Sequence, residues 1–238
     1  MSPFVFDKSL ALYFLTDEMA FPSPLRSRED GLLAVGGGLS VERLLLAYSM
    51  GIFPWYMEGS PILWWSPDPR LVLFPSELRV SRSLRQTLKK GIYTVTADRC
   101  FDRVIRRCAT AQGRTTTGTW ITGDMIEAYQ RLHDSGFCHS VEAWCGEELT
   151  GGLYGLAIGG AFFGESMFSD RSDASKIALV GLVEHLAAWG FRLIDCQVTT
   201  EHLRRLGARM VARPVFLAAL KEALSVPTRR GRWTFAAE

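Results

Sequence analysis

Hydrophobic and polar positions run along this chain in two rhythms, and the change falls near residue 69. From Arg70 onward, short apolar runs alternate with longer stretches of helical period. "RLVLFP" and "YTVTAD" predict strands, separated by a basic helix over "SRSLRQTLKKG" that ends at Gly91. "CFDRVIRRCAT" and "TGDMIEAYQRLHDSG" predict helices, the second stopping at Gly136. Three strands follow in "CHSVEAWCGEELTGGLYGLAIGGAFFGESMF", the first two joined at "CGEE". A long helix over "DASKIALVGLVEHLAAWG", a strand over "RLIDCQV", a helix over "TEHLRRLG" and a final strand over "ARMVARPVFL" complete the order. The pattern predicts an α/β fold, a mixed sheet with helices on both faces.

Residues 1–68 read differently and predict a small N-terminal domain, with residues 69–238 forming the second. "VERLLLAYSMG" predicts a short amphipathic helix capped by Ser40. The segment "IFPWYMEGSPILWWSPDPRLVLFP" is dense in proline, which withholds ladder donors and restricts its predecessor, so irregular packed chain is expected. Its tryptophans either fill a core or line a cleft, with Trp64 and Trp65 reading as packing residues.

Two polar intrusions break this apolar background. In "RLIDCQV" a strict two-residue period places Leu193, Asp195 and Gln197 on one side and Ile194, Cys196 and Val198 on the other. In "GGAFFGESMF", Glu165 stands among Phe162, Phe163, Met167 and Phe168. A charge so placed is costly unless paired or near water, and two such sites on neighbouring strands suggest a shared cleft. Structural ion pairs are the plainer alternative. The glycines of the same hairpin, Gly151 to Gly164, fit a ligand approaching the sheet closely, or merely a twisted hairpin.

Composition narrows the class. At 238 residues, 47% hydrophobic and 22% charged, the chain can bury a sizeable core. Its net charge of +2 does not announce a polyanion binder, so contact with nucleic acid has to come from a local patch. Arg82, Arg85 and Lys89 share one helix face and form such a patch, or an ordinary solvated surface. Five cysteines without paired spacing, no leader-like start and no long uncharged apolar run predict a cytoplasmic, reduced protein off the membrane. There is no G-x-S-x-G elbow and no phosphate-binding loop with its Lys. His133, His139, His185 and His202 lack metal-ligand spacing and read as surface or packing residues, so no metal is expected. A cleft with a carboxylate and an amide but no nucleophile suits a reaction whose nucleophile arrives with the substrate.

The strings "FPSP", "GLLAVGGGLS", "LLLAYSMGIFPWY", "ILWWSPDPR", "GTWIT", "AYQRLHDSGFCHSVEAW", "GGLYG", "GESMFS", "ASKIAL" and "LIDCQV" closely resemble the leucyl/phenylalanyl-tRNA–protein transferase family, from about Phe21 to Pro214. The resemblance implies a GNAT-like acyltransferase domain akin to Fem-type peptidyltransferases, behind a small N-terminal domain. It implies transfer of Leu or Phe, less often Met, from aminoacyl-tRNA to proteins with N-terminal Arg or Lys, marking them for degradation. Asp195 and Gln197 would be the catalytic pair and Glu165 an acceptor-site residue. Trp55 and Trp120 would flank the terminal adenosine and aminoacyl group. Leu153, Phe162, Leu182 and Leu186 would line the amino-acid pocket, with Leu153, Leu182 and Leu186 departing from the residue types usual there. Arg82, Lys89 and Lys90 would hold tRNA phosphates, and Gln86 replaces a basic residue of that set.

The chemistry so implied needs no ATP, metal or coenzyme, because aminolysis of an activated ester runs downhill. An α-amine of pKa 7.7–8.0 is about one-tenth neutral at pH 7, a deficit of about 1.4 kcal/mol, whereas orientation supplies up to about 7–11 kcal/mol. On this expectation Gln197 holds the amine through its side-chain oxygen, Asp195 fixes that amide and stabilises developing positive charge, and Glu165 attracts the cationic acceptor. A CoA-dependent N-acyltransferase, a Fem-type enzyme and a non-catalytic tRNA-binding module are the competing readings; "AQGRTTTG" has the wrong spacing for a pyrophosphate loop. The tail "SVPTRRGRWTFAAE" is expected to be a disordered end or an extra basic contact.

Overall fold

The computed structural model describes residues 3–111 and 119–235. The expected helix and strand order appears almost throughout, and it builds two sheets. The first has five short strands, β1 (Phe4–Asp7), β2 (Leu12–Leu15), β3 (Leu32–Gly36), β4 (Phe53–Pro54) and β5 (Leu63–Trp65), in the order β1-β2-β3-β5-β4. Helix α1 (Val41–Ser49) follows β3, its Ser40 hydroxyl accepting from the Arg43 amide as an N-cap. This sheet corrects the expectation of irregular chain. Pro54 belongs to a two-residue edge strand, where a missing amide donor is tolerated.

After the cis Asp68–Pro69 bond, a seven-stranded sheet begins. Its strands are β6 (Arg70–Leu73), β7 (Thr94–Ala97), β8 (Cys138–Cys145), β9 (Glu148–Ile158), β10 (Ala161–Ser169), β11 (Leu193–Gln197) and β12 (Arg209–Val211). They lie in the order β12-β6-β11-β10-β9-β8-β7, and β10 with β11 is the parallel pair in this otherwise antiparallel set. The helices are α2 (Arg82–Lys89), α3 (Phe101–Ala109), α4 (Gly123–Asp134), α5 (Ala174–Ala188), α6 (Glu201–Arg205) and α7 (Arg213–Ala223).

Period-two alternation sorts the core onto two faces. Val72, Tyr154, Phe163 and Leu193 pack with α3, α4, α7 and the first sheet. Leu71, Leu73, Leu153, Phe162 and Ile194 pack with α5. The first core runs unbroken from Tyr13 and Trp64 to Phe216, so the two sheets share one apolar interior. Trp64 lies inside it as expected; Trp65 is half-buried and donates its indole N–H to the Trp55 carbonyl at 2.7 Å.

The end of the chain departs from expectation twice. "ARMVARPVFL" is not one strand: β12 stops at Val211 and α7 starts at Arg213, with Pro214 in its first turn, where a missing N–H costs nothing. The Asp68 carboxylate accepts the Arg213 amide at 2.9 Å. The tail to Phe235 is packed, with Trp233 only 2% exposed. "AQGRTTTG" lies almost wholly outside the described residues. Among those described, no helix is long and apolar enough to cross a membrane.

Candidate active site

Strands β10 and β11 pair from Ala161↔Leu193 to Phe163↔Asp195, and there the ladder ends. Immediately beyond, each strand carries an irregularity. β10 slips against β9 between Gly164 and Ser166, and β11 slips against β6 between Asp195 and Gln197. An extra residue bends a strand away from its partner, so β10 leaves with β9 while β11 leaves with β6. Glu165 and Cys196 are the residues skipped in the pairing. The sheet opens into a cavity of about 350 Å³, ample for an aminoacyl side chain. Its wall includes Phe53, Pro54, Trp55 and Trp120 on one side and Leu153, Phe162, Leu179, Leu182 and Ile194 on the other. Glu165 and Gln197 interrupt this apolar wall.

Backbone strain sits at the edge of this cavity. Gln197 has φ +62°, a left-handed conformation costing a non-glycine residue on the order of 1–3 kcal/mol. It is held from both ends. Its backbone N–H donates to Asp195 Oδ1 at 2.9 Å, and its side-chain Nε2 donates to Glu165 Oε1 at 2.6 Å. The amide nitrogen is thereby committed, leaving Oε1 of Gln197 as an acceptor.

Asp195 stands elsewhere than the resemblance implied. It does not line the cavity, and it holds the backbone N–H of Gln197 rather than its side-chain amide. The turn at Cys196 breaks the two-residue period, so Asp195 and Gln197 part company, whereas Ile194, Cys196 and Val198, expected as core, reach the cavity wall. The Asp195 carboxylate faces the first sheet and receives Arg70 in a bidentate pair, Nε to Oδ1 at 2.8 Å and Nη2 to Oδ2 at 2.7 Å. Both side chains are fully buried, and the guanidinium lies between the Phe53 and Phe216 rings, 4.7 Å from each centroid. The oxygen that receives Arg70 Nε also accepts the Gln197 backbone N–H, so the ion pair and that turn are joined.

Glu165 is nearly buried, and its partners come from afar. Tyr48 of α1 donates to Oε1 at 2.7 Å and Tyr129 of α4 to Oε2 at 2.9 Å, while the two hydroxyls also touch each other. Burial pushes the Glu165 carboxyl up to about 7, against the pull of these donors. Burial, and then Glu165 itself, hold both phenols well above their ordinary value. With both phenol protons donated to the carboxylate, the hydroxyl–hydroxyl contact has no proton of its own; protonating Glu165 on Oε2 would supply one by turning Tyr129 from donor to acceptor there.

Several expected residues take their places in the wall: Trp55, Trp120, Leu153, Phe162 and Leu182. Leu186 does not; it is buried in the core behind them. His202, read as a surface or packing residue, lines the cavity with its Nε2 unpartnered, and burial together with Lys176 and Arg205 keeps its ring below the ordinary imidazole value. Arg82, Lys89 and Lys90 are exposed on α2, outside the cavity. That helix meets the start of α5 through Thr87, which donates to Asp173 at 3.2 Å, with Lys176 on the other oxygen of the same carboxylate. The glycines serve packing more than ligand approach. A Cβ on Gly155 would stand 2.1 Å from the Phe163 carbonyl, and one on Gly151 would stand 2.6 Å from Ala174 of α5. Gly164 alone of the hairpin glycines borders the cavity.

A buried acid and a strained amide interrupt an apolar cavity wall that also carries Ser166, Cys196, Thr200 and His202. Comparison with known proteins identifies the family. A model of the leucyl/phenylalanyl-tRNA protein transferase family matches residues 72–221, and one of that family's N-terminal domain matches residues 37–68. The chain is 62% identical to a leucyl/phenylalanyl-tRNA–protein transferase of Anaeromyxobacter sp. (strain Fw109-5), covering 94% of this chain and 95% of that protein. It is 57% identical to the protein of that name from Myxococcus xanthus (strain DK1622), over 94% and 97%. Among solved structures, L-PGS from Bacillus licheniformis aligns at TM-score 0.41 and 14% identity, over 71% of this chain and 54% of its own. The chain belongs to the leucyl/phenylalanyl-tRNA protein transferase family and is an aminoacyltransferase.

Proposed function

We propose that this enzyme moves a leucyl or phenylalanyl group, less often methionyl, from tRNA onto the α-amino group of proteins beginning with Arg or Lys, in the cytoplasm. The observation that carries the reading is one cavity whose apolar wall ends at Glu165 and Gln197. The oily side chain of the donor fills the wall of Leu153, Phe162 and Leu182. The terminal adenosine lies by Trp55 and Trp120. The tRNA phosphates meet Arg82, Lys89 and Lys90, so affinity falls steeply with salt. The first sheet and the seven-stranded sheet act as an N-terminal unit of residues 1–68 and a transferase unit of residues 69–238.

In the reaction the acceptor nitrogen attacks the ester carbonyl carbon, a C–N bond forms and the bond to the tRNA 3′-oxygen breaks. The amine's proton ends on that oxygen. Gln197 Oε1 accepts a hydrogen bond from the attacking amine and aligns it, which is the larger contribution available where the nucleophile is already partly neutral. Asp195 acts as a positioning residue, through the Gln197 backbone. Glu165 is the acceptor's counter-charge. The cationic side chain of an N-terminal Arg or Lys favours the ionised Glu165 carboxylate, whose proton passes to solvent, while an acceptor without that cation leaves Glu165 protonated.

The test uses labelled Leu-tRNA with peptides beginning with Arg, Lys or Ala, and no CoA. Label on the Arg and Lys peptides alone is the expected result. Equal label on the Ala peptide overturns the acceptor assignment, and no label on any peptide overturns the activity.

A further inference from the structure

The segment after α7 lies beyond the residues that the family models match, yet hydrogen bonds tie it to the body of the protein and its Trp233 is buried. It runs back across the face of the sheet that α5 covers. Thr228 Oγ1 accepts the Gly159 amide at 2.9 Å, and the Gly231 amide donates to the Gly136 carbonyl at 3.0 Å. The Arg230 guanidinium donates to the Ser135 carbonyl at 2.8 Å and lies over Phe137. The Trp233 amide donates to Asp98 Oδ2 at 2.7 Å, and Arg232 reaches the Asp98 carbonyl. Phe235 stacks on His185 of α5, centroids 3.7 Å apart.

These anchors place one large ring behind the cavity. Trp233 lies flat on the buried His139, centroids 3.7 Å apart and planes within 6°. Its far side meets Trp189 at 4.9 Å, Phe191 at 5.9 Å and Phe162 at 6.2 Å. Phe162 is a wall residue of the cavity, and Leu182 of the same wall shares the Trp233 cluster. A close-packed wall is only as rigid as what stands behind it.

We infer that Trp233 is a specificity-determining residue: it braces Phe162 from behind, sets the depth of the aminoacyl cavity, and so sets the preference between leucyl and phenylalanyl donors. The inference rests on the reading that this cavity receives the donor's side chain. A brace that yields lets Phe162 recede and admits the longer aromatic ring. Apolar pockets discriminate by about tenfold or more for each methylene-sized change in fit, so a wall movement of that size is measurable as a ratio.

The experiment offers equimolar Leu-tRNA and Phe-tRNA to the full-length protein with one Arg-initiated peptide and measures the ratio of the two products. Trp233→Leu keeps an apolar side chain but removes the ring. Phe162→Ala tests the cavity itself, and Arg230→Ala loosens the tail at the surface without touching the brace. The expected result is a shift towards Phe of at least about fivefold for Trp233→Leu, in the same direction as Phe162→Ala, and an unchanged ratio for Arg230→Ala. A shift with Phe162→Ala but none with Trp233→Leu overturns the inference and leaves the cavity reading intact. No shift with either overturns both. An equal shift with Arg230→Ala shows that general loosening is the cause, and this too overturns the brace. If Trp233→Leu melts below the assay temperature, Trp233→Phe, which keeps a ring but shortens its reach, is judged by the same ratio.

Discussion

The Arg70–Asp195 pair decides whether the carboxylate acts on the reaction by its charge or on Gln197 by its hydrogen bond. Replacing Arg70 by Met leaves Asp195 as a buried anion without a counter-charge. Breaking one side of a buried pair costs about 3–5 kcal/mol, a large part of the roughly 5–15 kcal/mol that holds a typical domain. At about 2–4 °C per kcal/mol for a chain of this size, the melting temperature should fall by about 6–20 °C. Adding Asp195→Asn removes the stranded charge and keeps an oxygen to accept the Gln197 amide, so the double variant should recover most of that loss. Asp195→Ala is different: it strands the Arg70 cation between Phe53 and Phe216 and frees Gln197 from its left-handed turn. The assay is single-turnover transfer, corrected for folded fraction by a thermal melt. If Asp195 positions Gln197, the double variant stays within about tenfold of the parent, about 1.4 kcal/mol of barrier, while Asp195→Ala loses considerably more. A double variant that melts near the parent yet transfers more than about a hundredfold slower would refute the positioning argument and restore a direct electrostatic role for the carboxylate.

Other predictions can be tested in parallel. Glu165 is protonated below about 7, so transfer to Arg-initiated peptides should rise as pH climbs through that value, with the acceptor amine's own ionisation adding a second rise nearer 8; Glu165→Gln should abolish the lower step in a pH–rate profile and keep the upper one. The raised carboxyl pKa also makes Glu165 a group whose stabilising contribution is present below about 4.5 and lost as pH rises through 7, which a melt series on the Gln variant should flatten. His139 acts in the opposite sense. Burial lowers its pKa, although Asp98 pulls the other way, so the folded protein binds its proton less readily than the unfolded chain and stability should fall as pH drops below about 6.5; His139→Phe should remove that slope in thermal melts. Lys89→Ala and Lys90→Ala should each reduce the slope of log affinity for tRNA against log salt by about one, and an unchanged slope in both would take α2 off the RNA path.

Much of this was legible from residues close together in sequence. The strand and helix order from Arg70 to Arg205 follows from apolar period and terminal glycines, and Glu165 and Gln197 stand out because polar groups interrupt apolar strands. The expected sharing of one face by Asp195 and Gln197 fails for a specific reason: counting by twos assumes an unbroken ladder, and one skipped residue at Cys196 turns Gln197 round. Arg70, Tyr48 and Tyr129 gave no local sign. They meet their partners across 125, 117 and 36 residues, and only tertiary packing brings them there. Pro214 misled by ambiguity, since the ring that ends a strand also opens a helix. The tail reads in sequence as a disordered end or an extra basic contact, whereas Arg230 and Arg232 donate to backbone carbonyls and Trp233 is packed.

Tyr48 rises from the smaller sheet's helix to reach a carboxylate on the larger sheet. Neither half alone surrounds Glu165. Chimeras that exchange the first 68 residues between relatives must therefore preserve the lie of that helix as well as its tyrosine, and residues 70–235 expressed by themselves would present an acid lacking one of its three donors. Separate evolution of the two halves is constrained at that hydroxyl as well as along their common core.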